Sequence, residues 1–203
     1  MTHENIFWSE GQVTQQQRWA RMGHKGCVVW LTGLSGSGKS TLSRGLEREL
    51  FASGLHAFVL DGDNLRHGLN SNLGFSHEDR TENIRRASEV GCLLASAGHV
   101  AIIALISPYR QDRQVAREVA RAGGCEFVEI FVDAPLNVCE QRDRKDLYRR
   151  ARAGEIRDFT GIDAPYEAPE NPEIRVRTGE LSIEACLALM LESLVPRLRL
   201  DPS

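Results

Sequence analysis

Eight residues, Gly33-Leu34-Ser35-Gly36-Ser37-Gly38-Lys39-Ser40, fit the pattern G-x-x-x-x-G-K-S/T in full. Glycines in such a run let the backbone curl until successive N–H groups face the phosphates of a nucleoside triphosphate, and a following helix offers its positive N-terminal end. In that arrangement Lys39 contacts the β- and γ-phosphates and the Ser40 hydroxyl ligates Mg²⁺. A glycine-rich turn can match by accident, but seldom between a buried-strand pattern and an amphipathic helix. The loop alone does not separate a kinase from a GTPase or a motor ATPase. The GTPase base-reading pattern Asn-Lys-x-Asp is absent, and 203 residues leave no room for an added mechanical domain, so small-molecule kinases lead.

A second cluster, Asp61-Gly62-Asp63-Asn64, follows a predicted strand and sets two carboxylates beside the phosphate loop. A kinase of alcohols needs one group to orient the hydroxyl and accept its proton, and often another to hold Mg²⁺ or its water. Two Asp residues two apart at a strand end can divide those tasks. The alternative is an Asp-Gly turn with a helix cap at Asp63 or Asn64.

The elements around these clusters alternate. Residues 1 to about 24 read as a polar N-terminal arm with a short helix at Gln15–Met22, and residues 25–203 as one domain. Apolar runs predict strands at Cys27–Leu31, His56–Leu60, Val100–Ile106, Phe127–Val132 and Glu173–Val176. Helical spacing predicts helices at Thr41–Ala52, Glu78–Ala97, Gln111–Ala122, after Asp133-Ala134-Pro135, and at Leu181–Leu194. Gly54 and Gly98 stop two of them. The order implies an α/β fold, a doubly wound parallel sheet of the P-loop NTPase type flanked by helices. Ligands of such sheets sit beyond the carboxyl ends of the strands.

Composition narrows the function classes. The formal net charge of -3 gives no basic footprint for nucleic acid or an anionic membrane. No apolar run approaches the roughly 20 residues of a membrane-spanning helix. The five cysteines (Cys27, Cys92, Cys125, Cys139, Cys186) form no Cys-x-x-Cys pair and read as buried, reduced thiols, which makes the cytoplasm the expected location.

Further runs bring a family into view. Thr-Gly-Leu-Ser-Gly-Ser-Gly-Lys-Ser-Thr (32–41), Asp-Gly-Asp-Asn-x-Arg-x-Gly-Leu-Asn (61–70) and Leu-Gly-Phe-Ser-x-x-Asp-Arg-x-Glu-Asn-Ile-Arg-Arg (73–86) closely resemble adenylylsulfate kinases (APS kinases). Ile106-Ser107-Pro108-Tyr109-Arg110 and the runs at 151–155, 159–163 and 165–170 continue the resemblance, from about Trp8 to the last helix. The resemblance implies MgATP as donor, held by Gly33 through Ser40 and Thr41, and the 3′-hydroxyl of adenosine 5′-phosphosulfate as acceptor. Arg66, Arg80 and Asn83 resemble the family's residues for the phosphosulfate and ribose, a role that suits the planar donor fork of Arg. Phe75 and Phe159 resemble the pair that sandwich the adenine; without the family each reads as a core residue. Asp63 is assigned the hydroxyl and its proton, and Asp61 is assigned Mg²⁺ or a magnesium-bound water. Ile106 and Ser107 border the substrate, and the family pattern lists Ser107 either as a substrate contact or as a phosphoserine intermediate.

The segment from about 143 to 172 is rich in Arg, Gly, Pro and Glu and reads as a mobile lid, with Leu147 near the substrate. Arg149, Arg150, Arg152 and Arg157 are its candidate phosphate contacts. Where relatives usually carry Asp-Pro-Lys-Gly-Leu-Tyr-Lys-Lys, this chain has Asp143-Arg-Lys-Asp-Leu-Tyr-Arg-Arg150, which puts the kinetics of lid closure in question more than the chemistry. The resemblance also implies a homodimer, working alone or beside a sulfate adenylyltransferase. Two rival readings stand beside it: a kinase of a nucleoside monophosphate or shikimate, and a silent nucleotide-binding module regulating a sulfurylase. Intact Lys39, Ser40, Asp61 and Asp63 count against the latter.

Overall fold

The computed structural model describes residues 7, 9 and 11–200; Trp8 and most of the N-terminal arm ahead of residue 11 lie outside the described residues. A short helix α1 (Gln15–Met22) opens the ordered elements, fastened by a capping box in which Thr14 accepts from Gln17 N–H and the Gln17 side chain accepts from Thr14 N–H. Trp19 donates its indole N–H to the Ala95 carbonyl at 2.9 Å, so α1 rests on the end of a later helix.

Five strands follow: β1 (Cys27–Thr32), β2 (Ala57–Asp61), β3 (Val100–Ala104), β4 (Glu126–Asp133) and β5 (Ile174–Arg177). They form one sheet in the order β2-β3-β1-β4-β5, with every pairing parallel. The longer helices are α2 (Lys39–Ala52), α4 (His77–Ser96), α5 (Arg110–Ala122) and α8 (Ile183–Leu194), and the shorter ones α3 (Gly62–Arg66), α6 (Leu136–Gln141) and α7 (Leu147–Arg152). Because successive side chains of a strand face opposite ways, β1 feeds two cores. Cys27, Val29 and Leu31 pack with Leu42, Leu46 and Leu50 of α2 and with Leu187, Met190 and Leu194 of α8. Val28 and Trp30 pack with Ile84, Ala87 and Ala95 of α4 and Ala116 and Ala120 of α5 on the opposite face. All five cysteines are free thiols, four of them buried.

Several boundaries differ from the sequence reading, each for a local reason. Strand β3 stops at Ala104 rather than Ile106, because Ser107 takes φ 41 and the chain turns away from the sheet. Strand β5 begins at Ile174, since the Glu173 carboxylate is drawn aside to Arg117 and to the Glu129 N–H. Pro135 is the N-cap of α6 and precedes its first turn. Helix α3 was not anticipated: the Asp61 carboxylate caps it by accepting from Asp63 N–H at 3.0 Å.

The division between core and surface along α2 gives a direct check. Leu46 is fully buried, whereas Phe51 of the same helix is 73% exposed. Leu46→Ala is expected to cost about 2–5 kcal/mol in urea unfolding, and Phe51→Ala less than about 0.5 kcal/mol. Equal costs would mean that α2 presents a different face to the sheet.

Candidate active site

The parallel sheet brings the ends of all five strands to one edge, and β1 runs directly into the glycine-rich loop. A Cβ on Gly33 would lie 2.5 Å from the Val132 carbonyl oxygen, and one on Gly36, at φ 73, 2.7 Å from the Cys139 carbonyl oxygen. Only glycine permits both approaches. The loop is braced from behind, where Thr178 after β5 donates its hydroxyl to the Ser37 carbonyl at 2.8 Å. In turn Arg142 donates to the Thr178 carbonyl at 2.7 Å. Ser37 itself faces inward and is fully buried.

Helix α2 starts at Lys39, so its first free N–H groups open toward the loop. The Lys39 ammonium donates to the carbonyls of Gly33 at 2.9 Å and Leu34 at 2.7 Å. Burial brings its pKa down to about 8, opposed in part by Cys139, Asp61 and Asp63. Ser40 and Thr41 are exposed on the next turn, and the Ser40 hydroxyl donates to Asp61 Oδ2 at 2.7 Å.

Asp61, 5% exposed at the end of β2, thus does two things: one oxygen caps α3 and the other meets Ser40. The cap falls on Asp61, not on Asp63 or Asn64 as one reading of the sequence had it. Asp63 is left free of capping and projects from α3, where Lys145 donates to its carboxylate. A hydroxyl and a carboxylate oxygen side by side at a phosphate loop are the hard donors that Mg²⁺ takes when phosphates and waters complete its shell. Among the described residues no three His, Cys, Asp or Glu side chains gather into a metal-binding group.

On the far side of α3 lies a second group of polar and aromatic side chains. Arg66 donates to the carbonyls of Leu73 and Gly74 and sets its guanidinium 4.3 Å from the centre of the Phe75 ring. Phe75 is 64% exposed, a large apolar face turned to solvent among charges. Arg80 ties this loop to the 143–172 segment, donating to the Phe75 carbonyl, the Asp158 carbonyl and the Thr160 hydroxyl. Asn83 lies almost buried at the base of α4. Phe159 is committed to an apolar cluster with Ala134, Cys139, Tyr148 and Ala151, its ring edge-on to Tyr148 at 5.0 Å. The expected aromatic pair is therefore one open ring and one nearly buried ring, joined through Arg80.

Ile106 is half-buried at the rim, but Ser107 does not present its hydroxyl there. Ser107 is 3% exposed; its Oγ accepts from the Trp30 indole at 3.0 Å, and its carbonyl is held by Arg113 at 2.7 Å. The turn that carries it is left-handed, an unfavourable backbone for a serine, and Arg113 and the Thr32 hydroxyl hold it in place. In this arrangement the side chain anchors the turn, and the hydroxyl is engaged by the Trp30 indole.

The 143–172 segment folds over the loop. The Asp143 carboxylate accepts from the Leu147 and Tyr148 N–H groups, and the Tyr148 hydroxyl donates to the Ser35 carbonyl at 2.9 Å. Leu147 and Leu34 pack on the same apolar cluster. Asp146 stands in the left-handed region at φ 55, at the position where the family pattern has glycine. Of the arginines expected to face phosphate, Arg149 pairs with Asp146, Arg150 with Glu155 and Arg152 with Glu140, while Arg157 is exposed. Lys145 is the cation of this segment that reaches Asp63. Sequence reasoning passed over it because nothing in a run of five cations within nine residues marks which one turns toward Asp63.

Residues 25–177 match the family model of adenylylsulphate kinase. An adenylyl-sulfate kinase of Staphylococcus carnosus is 55% identical over 191 residues, covering 94% of this chain and 95% of the relative. The Mycobacterium tuberculosis APS kinase solved in complex with AMPPNP and APS superposes with a TM-score of 0.82 at 51% identity, covering 84% of this chain and 98% of that one. A hexameric APS kinase from Thiobacillus denitrificans is 34% identical with a TM-score of 0.67, covering 89% of this chain and 31% of that longer one. With the family model spanning most of its length and identities above half over nearly all of it, the chain belongs to the adenylylsulphate kinase family.

Proposed function

We propose that this chain transfers the γ-phosphoryl group of MgATP to the 3′-hydroxyl of adenosine 5′-phosphosulfate, giving 3′-phosphoadenosine 5′-phosphosulfate and ADP. The observation that carries the reading is the arrangement at the end of β2, where Ser40 of the phosphate loop meets Asp61 and Asp63 stands one turn further on, toward Arg66 and Phe75. One side of that seam suits a triphosphate and the other an anionic nucleotide. A kinase of shikimate would have no use for the exposed Phe75 ring.

In the proposed mechanism the loop N–H groups and the Lys39 ammonium grip the β- and γ-phosphates. When bound, Mg²⁺ would be held by Ser40 and by Asp61 directly or through water, and would supply charge neutralisation between donor phosphates. Asp63 orients the 3′-hydroxyl and accepts its proton as the oxygen attacks in line. Lys145, already paired with Asp63, adds a cation where charge develops on the transferring group. Phe75 offers the adenine a stacking face, with Phe159 as the opposite wall, and Arg66 and Arg80 answer the phosphosulfate. Ser107 acts through the shape of its turn. The homodimer implied by the family, the cytoplasm as location and a sulfate adenylyltransferase as source of the acceptor belong to the same proposal. Support for assembly comes from the hexameric relative, and among the described residues no helix is long and apolar enough to cross a membrane.

Two measurements check this. Incubated with MgATP and a panel of adenosine 5′-phosphosulfate, AMP and shikimate, the protein is expected to release ADP rapidly only with the first. Turnover with AMP or shikimate but not with adenosine 5′-phosphosulfate would sink the reading. Asp63→Ala is expected to lower turnover about 10²-fold or more, with ATP affinity nearly unchanged; equal loss of both would remove Asp63 from the proton-accepting role.

The lysine supplies a pH test with a definite sign. Its pKa in the free protein is about 8, and phosphates favour the charged form, so bound nucleotide raises that value. Below pH 8 Lys39 is already protonated and binding recruits almost no proton through it. Above pH 8 the neutral form dominates and binding must take one up. Calorimetry in buffers of different ionisation heat is expected to show proton uptake growing from about pH 7 to about pH 9 toward one proton, and no such growth in Lys39→Arg. Uptake that stays flat in the parent protein would contradict the buried, phosphate-facing lysine.

A further inference from the structure

We infer that Asn70 is a positioning residue of the acceptor site: it fixes the Asn83 amide so that Asn83 offers the acceptor substrate an N–H donor, selecting an oxygen or unprotonated ring nitrogen at that point. The inference rests on the functional reading above and deepens it. Between Arg66 and Ser76 the chain is exposed or half-exposed at every residue except Asn70, which is fully buried. Its Nδ2 donates to Asn83 Oδ1 at 2.8 Å. With that oxygen engaged, the nitrogen of Asn83 is the end left for a ligand.

The direction of this bond follows from what each orientation leaves unpaired. As observed, Asn70 Oδ1 is buried without a hydrogen-bond partner. Turning both amides over would satisfy that oxygen but leave the buried Asn70 NH₂ group, which carries two donors, with none of its protons placed. The observed orientation leaves the carbonyl and one N–H unmet and the reverse leaves two N–H groups unmet; an under-satisfied carbonyl is the better tolerated of the two. The arrangement is thus biased toward Asn83 as donor, which matches an acceptor substrate that carries negative oxygens.

Anchoring the loop does not by itself account for a buried asparagine here. Arg66 already holds the Leu73 and Gly74 carbonyls, and Arg86 holds the Leu69 carbonyl and the Asn72 side chain. The Asn70 backbone is also bonded, its N–H to Leu65 and its carbonyl to Leu73 N–H. What the Asn70 side chain adds is the orientation of Asn83.

The test is a double-mutant cycle in steady-state kinetics, run after the parent protein has turned over adenosine 5′-phosphosulfate. Absence of that turnover would fail the functional reading itself, and this inference with it. Asn70→Leu keeps the branching of the side chain and removes the donor; it is expected to raise the acceptor KM about tenfold while the ATP KM stays within about twofold. Asn83→Ala should raise the acceptor KM by a similar factor, and adding Asn70→Leu to it should change nothing further, because the first residue acts only through the second. Equal effects of Asn70→Leu in both backgrounds would overturn the inference, as would a matching rise in the ATP KM or an Asn83→Ala protein with an unchanged acceptor KM. Should Asn70→Leu fail to fold by circular dichroism, Asn70→Ala takes its place; failure of both would assign Asn70 to the fold alone and overturn the inference equally.

Discussion

Gly33 and Gly36 lie so close to the carbonyls of Val132 and Cys139 that no side chain could be accommodated at either position, and much else follows from that contact. It joins the end of β1 to the end of β4 and to helix α6 behind it. It aims α2 so that Lys39 folds back on the loop and Ser40 emerges beside Asp61. Once those two oxygens meet, the short helix α3 begins on the same carboxylate, and Asp63, Arg66 and the loop to Phe75 are carried to the opposite side. A small backbone constraint in the donor half therefore places the acceptor half.

The cations are distributed by the same logic of local supply. Arg149, Arg150 and Arg152 of the 143–172 segment find partners within their own stretch or on α6, and surface pairs of that kind contribute little to stability. Their work in this conformation is to shape the segment. Lys145 instead spans to the Asp63 carboxylate, from a turn closed by Asp143 and by an Asp146 in a left-handed conformation. Glycine would enter that conformation freely, whereas aspartate adopts it at a steric cost. The departure from the family pattern thus places a less permissive residue at a joint where the pattern has glycine.

How much of this the sequence made legible varies with the range of the interaction. The phosphate loop, the alternation of strands and helices and the two-faced core were readable because each depends on neighbours in the chain or on simple periodicity. Helix α3 was missed because five residues show no period; its cause is one carboxylate, and that carboxylate was visible only as a candidate for chemistry. Ser107 is held by Trp30 and Arg113, which come from β1 and α5, so no local pattern reveals that its hydroxyl turns inward. Phe159 was placed at the site by family pattern alone, and its burial against Tyr148 depends on a fold of the lid that composition does not encode. Asn70 passed as one letter of a motif until its burial in an exposed loop set it apart.

Direct transfer within one site, as proposed, requires no covalent phosphoenzyme between the two halves. A rapid-quench single turnover with ATP labelled in its γ-phosphate and excess adenosine 5′-phosphosulfate measures this most directly. The label is expected to pass to the 3′-position of the nucleotide product at the rate that ADP appears, with none bound to protein at any time. Label trapped on the protein, at Ser107 or elsewhere, or released as free phosphate in step with ADP, would contradict the account.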